Sequence, residues 1–501
     1  MSENDAADVL VRPARLDTLL PPGIFLIGDG SVPIAGLTAD SREVRPGFVF
    51  AALKGSRSDG VAFVEAALAA GAAAILTDTP EPQTTAALKA ANRIITDNPR
   101  KTLAEMAARF YPAQPATIAA VTGTAGKTSV AAFLREMWLG SGKVAASIGT
   151  VGVVSPTGSV YGSLTTPDPV HLHETIDRLA RQGVTHLALE ASSHGLDQYR
   201  LDGVRIGIGG FTNLGRDHMD YHPTIEAYFH AKMQLFERLL PRNAPFAVDL
   251  DSAYGQEALA RGRAAGCAPL TVGSKGEAIR LVSLARDGFR QRLTLDFGHG
   301  PVEVLLPLVG RFQVSNALVA GAMALASGLS ADVICTSFET LKGEAGRLEY
   351  VGTTTAGALV FIDYAHKVEA LDNVLDALRP YAARHLIAVF GAGGDRDRGK
   401  RALMGKVAAE KADRVIVTDD NPRSEEPATI RAMIMEAVPA GEEIGDRERA
   451  IFHALRSATK GDVVVIAGKG HETGQIIGEV TLPFSDHEVV RRAINAGPES
   501  G

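Results

Sequence analysis

The stretch Thr-Ile-Ala-Ala-Val-Thr-Gly-Thr-Ala-Gly-Lys-Thr-Ser, residues 117–129, organises the rest of the chain. Its apolar part, residues 118–121, predicts a short buried strand, and Gly123 and Gly126 follow soon after. From Val130 onward, apolar residues recur at intervals of three and four, which predicts a helix. A strand, a glycine-containing loop and a Lys-Thr pair before a helix are typical of a phosphate-binding loop.

The residue types of this loop suit a nucleotide. Glycines let the backbone turn tightly, so that its N–H groups face phosphate oxygens, and the helix N-terminus adds a favourable partial charge. Lys127 is placed to reach the β- and γ-phosphates, and the Thr128 hydroxyl to hold Mg²⁺. The general pattern has glycine five residues before Gly126, where this chain has Val121. We therefore interpret the segment as a variant nucleotide-binding loop; the alternative is an ordinary strand-to-helix turn.

Composition narrows the class of protein. With 501 residues, of which 46% are hydrophobic, the chain is long enough for about three folded domains. Its net charge of −7 disfavours nucleic-acid binding, which needs a basic surface. Two cysteines, Cys267 and Cys335, exclude a disulfide scaffold and fit a reducing compartment. The N-terminus lacks an apolar signal core, and the longest apolar stretch, residues 317–329, is too short to span a membrane, so we expect a cytoplasmic protein.

Short apolar strands alternate with helices, which predicts an α/β fold. Pro112 and Pro115 interrupt this pattern before the phosphate loop, and a polar, glycine-containing segment at residues 342–347 interrupts it again. We expect a smaller N-terminal α/β domain, a central domain with a mostly parallel sheet like that of P-loop ATPases, and a Rossmann-like C-terminal domain. The predicted domains span residues 1–112, 113–344 and 345–501.

Two predicted strands of the central domain end in polar residues. The strand at 185–191 contains Glu190 near its end, and the strand at 206–211 leads into the segment 213–222, which is rich in His and Asp. Ligands of open α/β sheets lie at the carboxyl ends of strands, so these residues should join the phosphate loop at one site. The segment suggests metal or phosphate chemistry; the alternative is a polar loop with a capping Asp.

Lys232 lies within the apolar stripe of a predicted helix at residues 224–240. An unpaired lysine facing a core is costly. Its amine could extend to the rim of the helix, or it could be paired or chemically altered in the interior. The sequence pattern leaves both interpretations open.

The C-terminal part repeats one arrangement four times. Predicted strands at 359–362, 386–390, 414–418 and 463–466 each lead into a polar or glycine-rich cluster. Clusters at the carboxyl ends of neighbouring strands predict one ligand crevice. The clusters occupy residues 363–366, 391–398, 419–423 and 468–472.

In this order, the motifs closely resemble those of the Mur ligases of bacterial cell-wall synthesis, and the resemblance covers nearly the whole chain. Among that family, the set is most similar to the members that add the third peptide residue. The motifs are Asp40-Ser-Arg42, Thr122-Gly-Thr-Ala-Gly-Lys-Thr128, Glu190-Ala-Ser-Ser-His-Gly-Leu196, Asn213-Leu-Gly-Arg-Asp-His-Met-Asp-Tyr-His222, Ala231-Lys232, Asp363-Tyr-Ala-His366, Gly393-Gly-Asp-Arg-Asp397, Asp420-Asn-Pro-Arg423 and Gly468-Lys-Gly-His-Glu472.

The resemblance implies three domains, which bind the UDP-sugar, ATP and the amino acid in chain order. It also implies a reaction with ATP and Mg²⁺, in which the terminal carboxylate of UDP-N-acetylmuramoyl-L-alanyl-D-glutamate is phosphorylated and an incoming amine then displaces phosphate. The implied partners are small molecules, with no nucleic acid and no membrane insertion, and we expect a monomer.

The resemblance also implies site residues. The catalytic residues are Lys127, Lys232, Glu190 and His218, with Thr128, Glu190, His218 and Lys232 as Mg²⁺ ligands, Lys232 being carried as a carbamate (N6-carboxylysine). The ATP contacts are Gly123, Thr124, Ala125, Gly126, Lys127, Thr128, Ser129, Asn316, Arg347, Asp363 and His366. The UDP-sugar dipeptide contacts are Ser41, Ser56, Arg57, Ser58, Thr165, Thr166, Ser192, Gln198 and Arg200. The amino-acid contacts are Arg396, Asp420, Asn421, Pro422, Arg423, Gly468 and Glu472.

Arg423 indicates which amino acid is added. Diaminopimelate carries a carboxylate at its far end where lysine has only an ammonium, and a guanidinium can bind that carboxylate bidentately. The form Asp-Asn-Pro-Arg at residues 420–423 resembles the diaminopimelate-adding members, so we predict meso-diaminopimelate, with Glu472 suited to the far ammonium. On the turn signal alone, the alternative is an Asn-Pro turn with an exposed Arg423.

Some positions depart from the family pattern, and some functions compete. Ala125, Leu164 and Gln313 each replace a usual Asn, and Lys367-Val368 replace a common Thr-Pro. The competing functions are an L-lysine-adding ligase and a folylpolyglutamate synthetase-like ligase. Only the folylpolyglutamate synthetase-like ligase would lack a UDP-sugar domain. Two further alternatives are a nucleotide-gated binding protein without catalysis and a P-loop kinase or transport ATPase.

Overall fold

A computed structural model describes residues 14–55, 59–78, 86–160 and 164–495. Three main sheets organise it, of five, eleven and six strands in chain order. In the parts of the chain just given, no helix combines the length and apolar character needed to cross a membrane.

The first sheet has the strand order β2-β7-β6-β5-β4. Strands β4 to β7 pair in parallel, and β2 pairs antiparallel with β7 at one edge. The strands are β1 (Ala14–Arg15), β2 (Phe25–Ile27), β3 (Pro33–Ile34), β4 (Gly36–Thr38), β5 (Phe48–Ala51), β6 (Ala74–Thr77) and β7 (Arg93–Ile95). The helices are α1 (Leu16–Leu19), α2 (Val64–Ala69), α3 (Ala86–Ala90) and α4 (Pro99–Phe110), with a 3₁₀ turn at Gly60–Phe63.

The second sheet contains the phosphate loop at the end of a central strand. Its strands are β8 (Thr117–Thr122), β9 (Ala145–Gly149), β10 (Gly152–Ser155), β11 (Gly158–Val160), β12 (His186–Glu190), β13 (Ile208–Phe211), β14 (Pro245–Asp249), β15 (Ala268–Gly273), β16 (Ile279–Asp287), β17 (Arg290–Asp296) and β18 (Pro301–Leu306). Its helices are α5 (Lys127–Gly140), α6 (Pro169–Arg181), α7 (Ser193–Asp197), α8 (Ile225–Gln234), α9 (Gly255–Ala264), α10 (Arg311–Ala326) and α11 (Ala331–Phe338), and α8 continues into a π-helical turn at Leu235–Leu239.

The strand order of this sheet is β11-β10-β9-β12-β8-β13-β14-β15-β16-β17-β18. Strand β8 lies between β12 and β13 and pairs with both in parallel, so their carboxyl ends meet at one edge. The sheet is mostly parallel in its middle, as expected. Antiparallel hairpins extend it at both ends, β9-β10-β11 at one and β16-β17-β18 at the other.

The apolar stretch around residues 317–329 lies mostly in α10, which packs against α5 and β14. Ala317, Ala320 and Ala324 are fully buried there, and Trp138 of α5 is buried in the same core. A helix that is apolar on all sides must be covered by protein, and here the sheet and α5 cover it.

The third sheet has the order β19-β20-β24-β21-β22-β23, parallel except for the edge strand β19. Its strands are β19 (Glu349–Thr353), β20 (Leu359–Asp363), β21 (Leu386–Phe390), β22 (Arg414–Val417), β23 (Glu442–Glu443) and β24 (Val463–Ala467), followed by the hairpin β25 (Gly474–Ile477) and β26 (Val480–Pro483). The helices are α12 (Val368–Leu378), α13 (Gly399–Lys411), α14 (Pro427–Met435), α15 (Arg447–Ser457) and α16 (Asp486–Asn495), with a 3₁₀ turn at Arg379–Tyr381.

Helices packed against parallel strands bear out the predicted α/β class. The four predicted C-terminal strands correspond to β20, β21, β22 and β24 within one residue at each end. The three sheets draw their strands from separate stretches of the chain, and the boundaries predicted after residues 112 and 344 fall outside every strand and helix. Those boundaries are our proposal for the domain division, which the separate sheets support.

Candidate functional site

Two positions of the phosphate loop accept only glycine. Gly123 has φ +146°, and a Cβ there would lie 1.9 Å from Thr212 Oγ1. Gly126 has φ +87°, and a Cβ there would lie 2.2 Å from Asn316 Oδ1. Both conformations favour glycine, and neither site has room for a side chain. The loop therefore has glycine at both positions where its backbone requires one. Val121 lies in the preceding strand.

The segment after β13 holds this loop from the side. Asn213 accepts hydrogen bonds from Ala125 N at its Oδ1 (3.0 Å) and from Thr124 N at its carbonyl oxygen (2.9 Å). Thr212 Oγ1 donates to the Ala125 carbonyl at 2.6 Å. These contacts use the backbone of Ala125 alone, so the replacement of a usual Asn at this position leaves the loop supported.

Thr128 and Glu190 lie together at the start of α5 and the end of β12. Thr128 Oγ1 donates to Glu190 Oε2 at 3.1 Å, and Thr150 N donates to Glu190 Oε1 at 2.8 Å. Both Thr128 and Glu190 are buried. A hydroxyl and a buried carboxylate are oxygen ligands of the kind that Mg²⁺ prefers, so these residues fit the expected cation. Within the described ranges no group of three or more His, Cys, Asp or Glu side chains is arranged to hold a metal, so the full predicted ligand set is a proposal.

Lys232 is buried, with 1% of its surface exposed. Its Nζ donates to the Gly123 carbonyl at 2.7 Å and lies 4.2 Å from the centre of the Tyr228 ring. Burial, followed by the nearby positive charge of Lys127, holds the pKa of Lys232 well below its usual value. The amine therefore lies in the interior against the phosphate loop, which excludes the interpretation in which it reaches solvent at the rim.

His218 lies on the same side of the cavity, with a backbone φ of +55°. Its Nε2 is 3.0 Å from Asp217 Oδ2, and its ring meets the His194 ring edge-on with centroids 4.7 Å apart. Burial lowers the pKa of His218 to about 3, so the ring is neutral at pH 7 and one nitrogen is available as an acceptor. The metal or phosphate chemistry predicted for residues 213–222 remains a proposal.

Residues of the third sheet complete the phosphate cavity, which has a volume of about 190 Å³. Arg347 Nη2 donates to Thr128 Oγ1 at 3.1 Å, and Lys367 Nζ lies 2.5 Å from Asp217 Oδ2. Asp363 accepts from Leu348 N at 2.5 Å, and burial raises the pKa of Asp363 to about 6. Burial lowers the pKa of Lys127 to about 8, which keeps its ammonium protonated at neutral pH.

A second, larger cavity of about 1160 Å³ lies between the first and second sheets. Ser41, Leu164, Gln198 and Arg200 line it, together with the ion pair formed by Asp40 and Arg42. The predicted contacts Ser56, Arg57 and Ser58 lie outside the described residues.

The larger cavity is connected to the phosphate cavity through hydrogen bonds. Arg200 Nη1 donates to the Thr166 carbonyl at 2.7 Å, and Ser192 Oγ donates to Thr166 Oγ1 at 2.9 Å. Thr166 Oγ1 in turn donates to the Glu190 carbonyl at 2.8 Å. Thr165 Oγ1 lies 3.0 Å from Thr150 Oγ1. The predicted sugar contacts outside the first sheet therefore form one group next to Glu190.

The predicted amino-acid residues converge at the carboxyl ends of β21, β22 and β24. Asn421 Nδ2 donates to Glu472 Oε2 at 2.9 Å, and Lys469 Nζ donates to Asn421 Oδ1 at 2.8 Å. Arg423 has φ +54° and donates from Nη1 to the Gly394 carbonyl at 2.9 Å. A Cβ on Gly393 would lie 2.8 Å from that nitrogen, so a glycine makes room for the guanidinium.

Three further predicted residues of this set are Asp420, Gly468 and Arg396. Asp420 Oδ2 is buried without a hydrogen-bond partner among the described residues, and a Cβ on Gly468 would lie 2.4 Å from it. Arg396 is exposed, and its nearby charge, after burial, contributes to lowering the pKa of Arg423.

The four clusters form two adjacent groups and not the single crevice that was expected. Asp363 and His366, from the first of the four clusters, line the phosphate cavity, whereas the other three clusters surround Asn421 and Glu472. Tyr364 joins the two parts: its ring lies under the Arg347 guanidinium at 4.5 Å, and its hydroxyl donates to Glu472 Oε1 at 3.4 Å.

Sequence reasoning missed two residues of the site, Thr150 and Lys469. Thr150 bonds both oxygens of Glu190, and Lys469 is fully buried with an ion pair to Glu472 at 3.2 Å. Lys469 lies inside a motif that the sequence already marked, and a lysine between two glycines was the available signal. Thr150 follows β9 and carries no local pattern, so only the pairing of β9 with β12 reveals it.

Comparisons with known proteins agree with this geometry. Three family descriptions match the chain: "Mur ligase family, catalytic domain" over residues 33–111, "Mur ligase middle domain" over 121–324 and "Mur ligase, glutamate ligase domain" over 346–470. These descriptions cover most of the chain, which is therefore a ligase, and it belongs to the Mur ligase family.

The similarity extends to particular members. The chain is 55% identical to the UDP-N-acetylmuramoyl-L-alanyl-D-glutamate–2,6-diaminopimelate ligase of Bradyrhizobium diazoefficiens over 93% of this chain and 95% of the relative. A solved structure of a ligase with the same name superposes with a TM-score of 0.69 at 34% identity, covering 97% of this chain and 99% of the other. The fold also resembles the MurF ligase of Thermotoga maritima in complex with ADP, with a TM-score of 0.60 at 18% identity over 91% of this chain and 96% of that one.

Proposed function

We propose that this ligase joins meso-diaminopimelate to UDP-N-acetylmuramoyl-L-alanyl-D-glutamate and converts ATP to ADP and phosphate. The names of its relatives support this substrate pair. The observation that carries the proposal is a continuous path of contacts across the three sites. It runs from Arg200 in the large cavity through Thr166, Glu190, Thr128, Arg347 and Tyr364 to Glu472.

Such a path suits a condensation. A carboxylate bound near Arg200 lies next to the phosphate cavity, and an amine bound near Glu472 approaches the same cavity from the other side. A carboxylate oxygen attacks the γ-phosphorus and ADP leaves; the amine then attacks the acyl carbon, phosphate leaves and the amine loses a proton. Holding both reactants at one cavity converts two encounters into one bound geometry, which lowers the entropic part of the barrier.

The residues of the phosphate cavity have distinct roles in this proposal. Lys127 and Arg347 bring positive charge to a place where two anionic groups must meet. Thr128 and Glu190 would hold Mg²⁺, with His218 and a carbamate on Lys232 at a second metal site. When bound, Mg²⁺ neutralises phosphate charge. The loop glycines allow the backbone N–H groups of residues 123–128 to face the phosphates.

The amino-acid site is proposed to select diaminopimelate through Arg423. Its guanidinium is half-buried and donates to the carbonyls of Gly394 and Asn421 from Nη1 alone, so Nε and Nη2 can bind a carboxylate bidentately. Glu472 is held by Asn421 and Lys469 and can still accept from a ligand ammonium.

We also propose a cytoplasmic monomer. Support for the compartment is chemical, since the proposed reaction consumes ATP and a UDP-linked sugar. Support for the monomer is that a single chain supplies every residue of the contact path. Size-exclusion chromatography with light scattering measures the mass directly, and a dimer mass would contradict the monomer.

The test is phosphate release by the purified protein with ATP, Mg²⁺ and UDP-N-acetylmuramoyl-L-alanyl-D-glutamate. Release should require meso-diaminopimelate, and L-lysine should support it at least a hundredfold less well in kcat/KM. Comparable kcat/KM values for the two amino acids would refute the diaminopimelate assignment. Phosphate release without any amine would favour a plain ATPase, and release with a folate and glutamate would favour a folylpolyglutamate synthetase-like ligase.

A further inference from the structure

Lys367 reaches the phosphate loop from the third sheet. It lies between β20 and α12, and only 14% of its side chain is exposed. Its Nζ is 2.5 Å from Asp217 Oδ2, which follows β13, and donates to the carbonyl oxygen of Thr124 at 3.3 Å. A residue 243 positions away in the chain thus places an amine directly against the phosphate loop.

The amine of Lys127 donates to the same oxygen. Its Nζ lies 3.2 Å from the Thr124 carbonyl oxygen, on which Lys367 also converges. Two ammonium groups at one oxygen repel each other, and in a buried cavity that repulsion is weakly screened. Asp217 offsets part of it for Lys367. A phosphate group with two negative charges would offset it for both.

Two further contacts, made by Glu369 and Asp397, join the third-sheet region to Arg216, which precedes Asp217. Glu369 Oε1 accepts from Arg216 N at 3.0 Å, and Arg216 Nε lies 3.6 Å from Asp397 Oδ2. The Arg216 guanidinium therefore faces Asp397, the Arg216 backbone N–H donates to Glu369, and Asp217 faces Lys367. We call these contacts, between residues 216–217 and the side chains of Lys367, Glu369 and Asp397, the seam. The seam fixes where the Lys367 amine lies relative to the phosphate loop.

We propose that Lys367 is a phosphate-contacting cation for the transferred γ-phosphoryl group, carried into the cavity by the third sheet and released from Asp217 when a triphosphate binds. The inference rests on the proposed ligase function. A flexible lysine stem with three rotatable donors permits the exchange of one anionic partner for another without backbone movement. Through Lys367, a bound triphosphate would stabilise the closed seam, and the closed seam would stabilise the bound triphosphate.

A purely structural ion pair is the competing explanation. In that case, Lys367 joins two parts of the chain through Asp217 and does not contact the nucleotide. The two explanations differ in their dependence on the γ-phosphate. A phosphate contact affects only ligands that carry that group, whereas a structural pair affects every nucleotide that needs the closed seam.

The test compares the affinity of Mg²⁺-ADP with that of the non-hydrolysable triphosphate Mg²⁺-AMPPNP, by calorimetry on the full chain. The Lys367→Met variant keeps the length of the stem and removes the charge. We expect AMPPNP affinity to fall at least about tenfold and ADP affinity to change less than about twofold. Lys367→Arg should retain most of the preference for AMPPNP, because a guanidinium also binds phosphate.

Glu369→Ala is the matched control, because it removes the acceptor for Arg216 N and so weakens the same seam without removing a cation from the cavity. It should leave the ratio of the two affinities unchanged. If Lys367→Met folds poorly in a thermal melt, Lys367→Thr offers a smaller side chain for the same measurement. Equal loss of ADP and AMPPNP affinity in the Lys367 variants, or no loss of either, would overturn the proposal.

The outcome is separable from that of the proposed function. Failure of the unmutated protein to join the two substrates would refute the ligase assignment. The nucleotide affinities report on Lys367 whether or not ligation occurs, so a ligase with an unchanged affinity ratio in Lys367→Met refutes this inference alone.

Discussion

Lys232 and Lys127 donate hydrogen bonds to the same oxygen, the backbone carbonyl of Gly123, at 2.7 Å and 2.9 Å. Two buried ammonium groups this close would repel strongly, so the pair favours one neutral amine. Burial and the charge of Lys127 both hold the pKa of Lys232 well below its usual value, which favours its unprotonated form. An unprotonated amine is the form that adds CO₂, and the resulting carbamate would face Lys127 with a negative charge. The geometry thus supports the carbamate expected at Lys232.

We expect Lys232→Ala to lose most ligase activity and to regain part of it in acetate or formate. A small carboxylate fits the space left by a carbamate and restores its charge. Steady-state phosphate release with and without the added acid measures the rescue, and mass spectrometry of the unmutated protein measures the modification. An unmodified side chain together with no rescue would show that the lysine acts in another form.

Lys127→Ala is expected to abolish ATP-dependent ligation while the fold remains intact. Its ammonium lies at the phosphate loop, and its loss removes the charge that offsets the γ-phosphate. Ligation rates and a circular dichroism melt test both parts of the expectation. Acetate should give no rescue here, because the missing charge is positive, which makes this variant the control for Lys232→Ala. Unchanged turnover would reject the assignment of the loop.

Arg423→Ala should raise the KM for meso-diaminopimelate about a hundredfold and leave the affinities for ATP and the UDP-sugar nearly unchanged. The guanidinium donates to the Gly394 carbonyl, and Arg423 does not line the phosphate cavity. Initial rates with each substrate varied in turn give the three KM values. Arg398→Ala is the control, since Arg398 is 69% exposed and pairs with Glu425. Equal KM changes for all substrates would indicate a folding defect.

His173 should make the protein less stable in mild acid. It is fully buried in α6, its Nε2 lies 2.9 Å from the Asp202 carbonyl, and burial lowers its pKa to about 4. The folded state therefore prefers the neutral ring. The contribution of His173 to the free energy of unfolding is complete above the unfolded pKa of about 6.5. It is lost as the pH falls towards 4, and the total loss is about 3 kcal/mol.

Denaturant unfolding at pH 7 and pH 5 measures this effect. The gap in unfolding free energy between the unmutated protein and His173→Gln should shift by about 2 kcal/mol between the two pH values, in favour of the variant at pH 5. His299→Gln, at an exposed histidine, is the matched control for the substitution itself. A constant gap for His173→Gln would show that this ring does not titrate between the folded and unfolded states.

Much of the architecture was predictable because its signals are local. The phosphate loop, with its strand and helix, lies within a short stretch whose apolar spacing and glycines express backbone requirements that hold in any context. The C-terminal strands were equally clear, since parallel strands buried on both faces form continuous apolar runs. The sequence analysis did not predict the antiparallel strands β16 to β18, many of whose residues are exposed.

The sequence by itself determined the class of fold, the phosphate loop and the order of the motifs, because each is specified by neighbouring residues. Only the tertiary structure determined the burial and the contacts of Lys232 and Lys367. Lys232 meets the Gly123 carbonyl 109 positions away, and Lys367 meets that of Thr124 across 243 positions. The burial of such a lysine and the charges around it depend on how the sheets pack together. Both are set by distant parts of the chain, so no local sequence pattern predicts them.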